Sequence, residues 1–174
     1  MSQTEWISVY RIAHQEGSRL KYALNIIDTP GFGDTRGIQR DELVTDQLRE
    51  LFSSSDDEKG IAFLDAVCFI VHAPDARLTI SQKYIFNSIM SLFGKDVKSN
   101  ICILLTFADG GDAPVLETLK EAKLPHEFVF EFNNSALFAK NTNLSSTFFA
   151  LWEMGLDSFQ KFFDHLNGLC LLYT

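Results

Sequence analysis

The residues of this chain best suited to chemistry lie in the order Asp28-Thr29-Pro30-Gly31, within the stretch 24–36, LNIIDTPGFGDTR. A carboxylate is a hard oxygen ligand of the kind Mg²⁺ takes, and a metal held by one carboxylate and water can bridge phosphate oxygens. Gly31 has no Cβ, so its backbone N–H can come close to a terminal phosphate, and Pro30 fixes the turn leading to it. Leu24, Ile26 and Ile27 suit a strand covered on both faces, which would carry Asp28 to a sheet's carboxyl edge, where open α/β sheets bind ligands. The bland alternative is a strand followed by a turn, because Asp-Thr-Pro-Gly is good turn chemistry anywhere.

The string Asp28-Thr29-Pro30-Gly31-Phe32-Gly33-Asp34 resembles the third nucleotide-binding signature of P-loop GTPases in the form used by septins, with a looser similarity to the immunity-associated GTPases. The resemblance implies a single partial G domain over 1–174, its third signature at 28–34, fourth at 106–109 and a weak fifth at 134–137. Its ligands would be GTP or GDP with Mg²⁺. Asp28 would hold the metal through water, and Gly31 would meet the γ-phosphate. Thr106 and Asp109 fall on a TxxD, where the family usually carries [NT]KxD, and Asp109 would accept two hydrogen bonds from the guanine edge. Adenine has no N1–H to offer there. Ser135 and Ala136 would bring a backbone N–H to the guanine oxygen. Residues 32–40 would form the mobile second switch. Phe32 stands where many such enzymes place a water-orienting glutamine, so no catalytic residue is assigned and hydrolysis in the complete form would be slow. Phe107 stands in place of the usual lysine.

The elements that must position these residues follow from patterning. Residues 6–14 alternate like a strand, 15–18 turn, and 20–28 returns, forming an antiparallel hairpin. Asp41 and Glu42 suit a first helical turn, and Val44, Leu48, Leu51 and Phe52 mark one face. An acidic linker, 53–60, ends that helix. Residues 63–71 are a near-continuous apolar strand closed by His72, which would share Asp28's sheet edge if the two strands run parallel, or else is simply a satisfied structural histidine. Thr79 and Gln82 form a capping box for a helix ended by Gly94, with Tyr84, Ile85, Ile89, Leu92 and Phe93 buried. Residues 100–106 are a third buried strand. Asp112 caps a short helix with Pro114 in its first turn, carrying Leu116 and Leu119. After the strand 128–132, a long amphipathic helix sets Phe148, Trp152, Leu156, Phe159, Phe162, Phe163 and Leu166 against the core. The implied fold is a P-loop GTPase-like three-layer α/β sandwich with a mostly parallel sheet and one antiparallel hairpin.

Composition narrows the partners. Of 174 residues, fifteen are basic and twenty-three acidic, a net charge of −8 with no basic cluster, which argues against nucleic acid and anionic membranes. No apolar run reaches the roughly 20 residues of a membrane span, and a cytoplasmic protein is expected. Three cysteines without metal or disulfide spacing read as reduced, buried thiols.

No GxxxxGK[ST] phosphate loop is present. Set against the family's order, the chain is expected to begin at the second strand, without the first strand, phosphate loop, first helix and first switch. Losing even three charge-assisted bonds of about 1.5–3 kcal/mol each would weaken nucleotide binding by roughly three decades or more, so the isolated chain is expected to be inactive. The absent strand would also leave its neighbours to pair directly or keep open edges, with marginal stability or self-association as the result. Two functions stand side by side: a guanine-nucleotide-binding domain, and a nucleotide-independent degenerate G domain that assembles with itself or a related subunit.

Overall fold

The structure, a computed structural model, describes residues 6–18, 20–31, 38–53, 64–93, 96–138 and 146–172. The chain is α/β and divides into two compact units. The first holds β1 (Ser8–Ile12), β2 (Leu24–Asp28), α1 (Ile38–Ser53) and α2 (Ile80–Phe93). The second holds β3 (Val67–His72), β4 (Ile101–Thr106), α3 (Pro114–Glu121), β5 (Phe128–Glu131) and α4 (Ser146–Leu172). The expectations for Phe32, Gly33, Asp34, most of 32–40, the linker 54–60, Phe63 and Gly94 lie outside the described residues.

In the first unit β1 and β2 form the expected antiparallel ribbon, from Ser8 opposite Asp28 to Ile12 opposite Leu24. Gly17, at φ +81°, makes the turn between them, where Ser18 N–H donates to the Gln15 carbonyl at 3.0 Å. The doubly covered β2 expected from its apolar run is not found. Among the described residues β2 pairs with β1 alone, and Ile26 stays 42% exposed. Nor does Asp28 stand at a common carboxyl edge, because in an antiparallel pair the end of one strand lies beside the start of the other.

The two helices of this unit pack on each other, with Val44 and Leu48 of α1 buried and Ile85, Phe86 and Ile89 of α2 buried. Tyr84, expected inside, is exposed and Phe86 takes its place, because the buried arc is centred on Ile85, Phe86 and Ile89. The capping box forms as read. Thr79 N–H donates to Gln82 Oε1 at 2.7 Å, and Gln82 N–H to Thr79 Oγ1 at 3.1 Å.

In the second unit β3, β4 and β5 make a parallel sheet in that order, with β4 central. Ile101, Cys102, Ile103 and Leu105 are buried, as the continuous apolar run of β4 requires. The edge strand β3 buries Phe69 and Val71 but turns Cys68 and Ile70 outward, so Cys68 is not the buried thiol expected. Its strand reads as apolar on both faces yet is covered on one. Asn100, fully buried, donates to the Asp65 carbonyl at 2.6 Å and ties together the approaches to β3 and β4.

Helix α3 begins one residue away from the expected cap. The residue before a proline is held extended, so Ala113, at φ −99° and ψ 103°, is the N-cap of a helix opened by Pro114. Asp112 therefore makes no capping bond. Val115 and Leu119 are the buried pair, with Leu116 beside them. At the other end Lys123 takes φ +55°, donating to the Lys120 carbonyl at 2.9 Å, while Leu124 N–H reaches the Leu119 carbonyl at 3.0 Å. That is a Schellman closure with lysine where glycine is usual.

Helix α4 runs 27 residues, about 40 Å, whereas the strands have four to six, about 13–20 Å. One helix half therefore overhangs the sheet. The second half packs its aromatic side chains on β5: Phe130 meets Phe162 edge-on at 5.3 Å, and His165 lies tilted against Phe128 at 4.2 Å. Leu166 and Leu169 are buried, while Trp152, Leu156 and Phe159, read as core, remain partly exposed.

Candidate functional site

The parallel strands of the second unit deliver their loops to one carboxyl edge, among them the loop after β4. Thr106 ends the strand with its hydroxyl donating to the Val71 carbonyl at 3.3 Å, so it locks β4 to β3. Phe107 follows at φ +57°, a left-handed conformation that costs a residue other than glycine about 1–2 kcal/mol. Such strain persists only when neighbours over-determine it. Here Ala108, buried, is held at both ends: its N–H donates to the Phe132 carbonyl at 3.1 Å, and its carbonyl accepts from Asn133 Nδ2 at 2.8 Å. The backbone reversal throws the Phe107 ring outward, 67% exposed, with its edge toward His72 at a centroid distance of 5.1 Å.

Asp109 comes next, exposed, its Oδ1 accepting the Gly111 N–H at 2.9 Å in an Asx turn. Gly110 supplies the φ of +84° that this turn needs. The loop borders a cleft of about 220 Å³ lined by Pro74, Phe107, Asp109, Gly111, Asp112 and Pro114. Pockets for whole small ligands run from about 300 to 1,000 Å³, so this one suits a single flat ring and not an entire nucleotide.

Asn133 is the residue that sequence reasoning missed. Besides its bond to Ala108, its Oδ1 accepts the Ser135 N–H at 3.1 Å and the Ser135 hydroxyl. One side chain thus clasps the loop after β5 to the loop after β4. An asparagine just past a strand was the available signal, but Asn133-Asn134 also reads as ordinary loop composition.

The expected site residues divide between the units. Asp28, half-buried, and Gly31, exposed, belong to the first; Thr106, Asp109, Ser135 and Ala136 belong to the second. Ser135 is joined to the Asp109 loop through Asn133, whereas Ala136 lines a separate crevice of about 50 Å³ with Leu137, Trp152, Gly155 and Phe159. The premise linking His72 to Asp28, parallel strands of one sheet, is not met, since β2 and β3 belong to different sheets. His72 instead places Nδ1 3.8 Å from Asp75 Oδ2.

Comparison of the sequence with known protein families and with curated proteins gives no match. Among the described residues no helix is long and apolar enough to cross a membrane.

Proposed function

We propose that this chain is a guanine-nucleotide-binding domain of the septin-like, P-loop GTPase kind, in which the cleft beyond β4 takes the base. The observation that carries the reading is the exposed Phe107 ring and the Asp109 carboxylate on one cleft the size of a ring. Base stacking on an aromatic side chain is worth about 1–3 kcal/mol, so Phe107 supplies the flat surface that the family's lysine stem would otherwise give. A carboxylate has about four lone-pair positions, so Asp109 can hold Gly111 and still accept two N–H donors from guanine. The Asn133 clasp would bring Ser135, and the Ala136 backbone after it, toward the same ligand.

Mg²⁺ suits this chain only as a partner of the nucleotide. Among the described residues no three His, Cys, Asp or Glu side chains gather to hold a metal, but one carboxylate is enough when phosphates and water complete the shell. By the resemblance Asp28 would be that carboxylate.

Titrating the purified chain with a fluorescent GTP analogue and Mg²⁺, then competing with GDP and ATP, tests the reading. GDP is expected to displace the analogue and ATP to leave it bound. Asp109→Ala should cost two charge-assisted bonds of about 1.5–3 kcal/mol each, at least a hundredfold in affinity. Equal competition by ATP, or unchanged affinity in Asp109→Ala, would refute it.

A second reading, a nucleotide-independent assembly module, is favoured by one different observation. Leu137 and Phe138, on the 3₁₀ turn Asn134–Phe138, are 55% and 84% exposed, and Phe149 and Trp152 on the overhanging half of α4 are 57% and 44% exposed. Large apolar side chains gathered on neighbouring elements mark association surfaces. A chain blind to nucleotide that sediments as a concentration-dependent oligomer would support it; a nucleotide-blind monomer at high concentration would end it.

A further inference from the structure

Two cysteines meet in the second unit. Cys68 of β3 and Cys102 of β4 stand directly opposite each other in the parallel ladder. Neighbouring strands lie about 4.8 Å apart, inside the Cα separations of about 4.4–6.8 Å that a disulfide spans. Residues in register on parallel strands project from the same face, so the two Cβ vectors do not diverge. The pair is also asymmetric, because Cys68 is exposed and Cys102 fully buried. The neighbouring Cys102 thiol draws the Cys68 thiol below its usual range, while Cys68 and burial push Cys102 far up. An exposed cysteine with a lowered thiol pKa, beside a second thiol, is the arrangement of a reactive cysteine with a resolving partner.

We propose that Cys68 is a modification site for hydroperoxides and that Cys102 resolves it into a reversible intramolecular disulfide. The Cys68 sulfur attacks the terminal peroxide oxygen and the O–O bond breaks, giving a sulfenic acid and, after protonation of the leaving oxygen, water or an alcohol. The Cys102 sulfur then attacks the Cys68 sulfur; the S–O bond breaks, and the Cys102 proton leaves with the hydroxyl as water. Two thiols lose two electrons and two protons, which the peroxide takes up. The bridge ties β3 to β4 four residues before His72 and Thr106, where both strands hand over to their loops. A link between adjacent strands sits toward the strained end of disulfide geometry and so is readily reduced.

The test uses the full chain carrying Cys170→Ser, which removes the third cysteine. After excess hydrogen peroxide, alkylation and peptide mass mapping, both remaining thiols should be lost to titration in a monomer, with Cys68 and Cys102 in one linked peptide restored by dithiothreitol. Cys102→Ala should stop the reaction at a Cys68 sulfenic acid trapped by dimedone. Cys68→Ser, an exposed position whose fold is not at risk, should leave the Cys102 thiol intact at the same dose. Both thiols surviving peroxide that oxidises free cysteine, a link formed only between chains, or loss of the Cys102 thiol in Cys68→Ser at the original rate would each overturn the proposal.

Discussion

Individual side chains set the candidate site more than its motif does. Asn133 spends one amide on two loops, so Asn133→Ala leaves the buried Ala108 carbonyl without its donor and frees Ser135. A loss of about 1–3 kcal/mol in urea unfolding is expected, and, if the cleft takes a base, weaker analogue binding with it. His165 offers a second test. Its ring lies against Phe128 and Phe130, its buried Nε2 has no hydrogen-bond partner among the described residues, and burial holds its pKa below the ordinary value. The unfolded chain therefore takes up this proton near pH 6.5 while the folded chain still resists it. The stability gained by keeping His165 neutral is present above that pH and lost as pH falls toward the lower folded value. His165→Phe should flatten the fall in urea midpoint as pH drops below about 6.5 relative to the parent chain. An unchanged slope would place the acid sensitivity elsewhere.

At the scale of elements, local rules held wherever the deciding partners were near in sequence. Thr79 and Gln82 are three residues apart, and both halves of their capping box formed. The proline rule also held, and it overrode the capping preference of Asp112 by fixing Ala113 as the extended residue. Helix α3 carries a second local conflict at its end, because Lys123 occupies a left-handed position that glycine adopts without cost. Lys123→Gly is expected to stabilise the chain by about 1 kcal/mol, since the Schellman bonds and the buried Leu124 stay in place. Thermal unfolding would show it as a rise in midpoint, and a fall would mean that the lysine stem contributes packing that outweighs the strain. The patterning of α4 was read correctly as amphipathic, but amphipathicity does not say where the sheet stops. Only its second half meets β5.

Among the described residues, two sheets whose outer strands pair on one side only and an outward apolar surface are the leading physical fact. Ile70, 68% exposed on the edge strand β3, joins a ladder with no partner among the described residues to an apolar face, the combination that invites strand-to-strand association. Ile70→Lys should lower the apparent mass seen by light scattering as concentration rises, without lowering stability, because the side chain is already in water. If the mass is unchanged, association proceeds through another surface. How much of this was legible follows from range. The strand after 100, the hairpin before Asp28, the helices and the turn residues were readable, because apolar period, β-branching, proline and cap residues act over a few positions. Apolar strands do not declare how many faces will be covered, since that depends on which layers pack upon them, and so β2, Cys68 and Ile70 were read as more buried than they are. The candidate site shows the same division. Asp109 could be singled out by its place after a strand, whereas the outward Phe107 ring, the Asn133 clasp and the meeting of Cys68 with Cys102 exist only once strands far apart in the chain come into register and their backbone hydrogen bonds dictate where each side chain points.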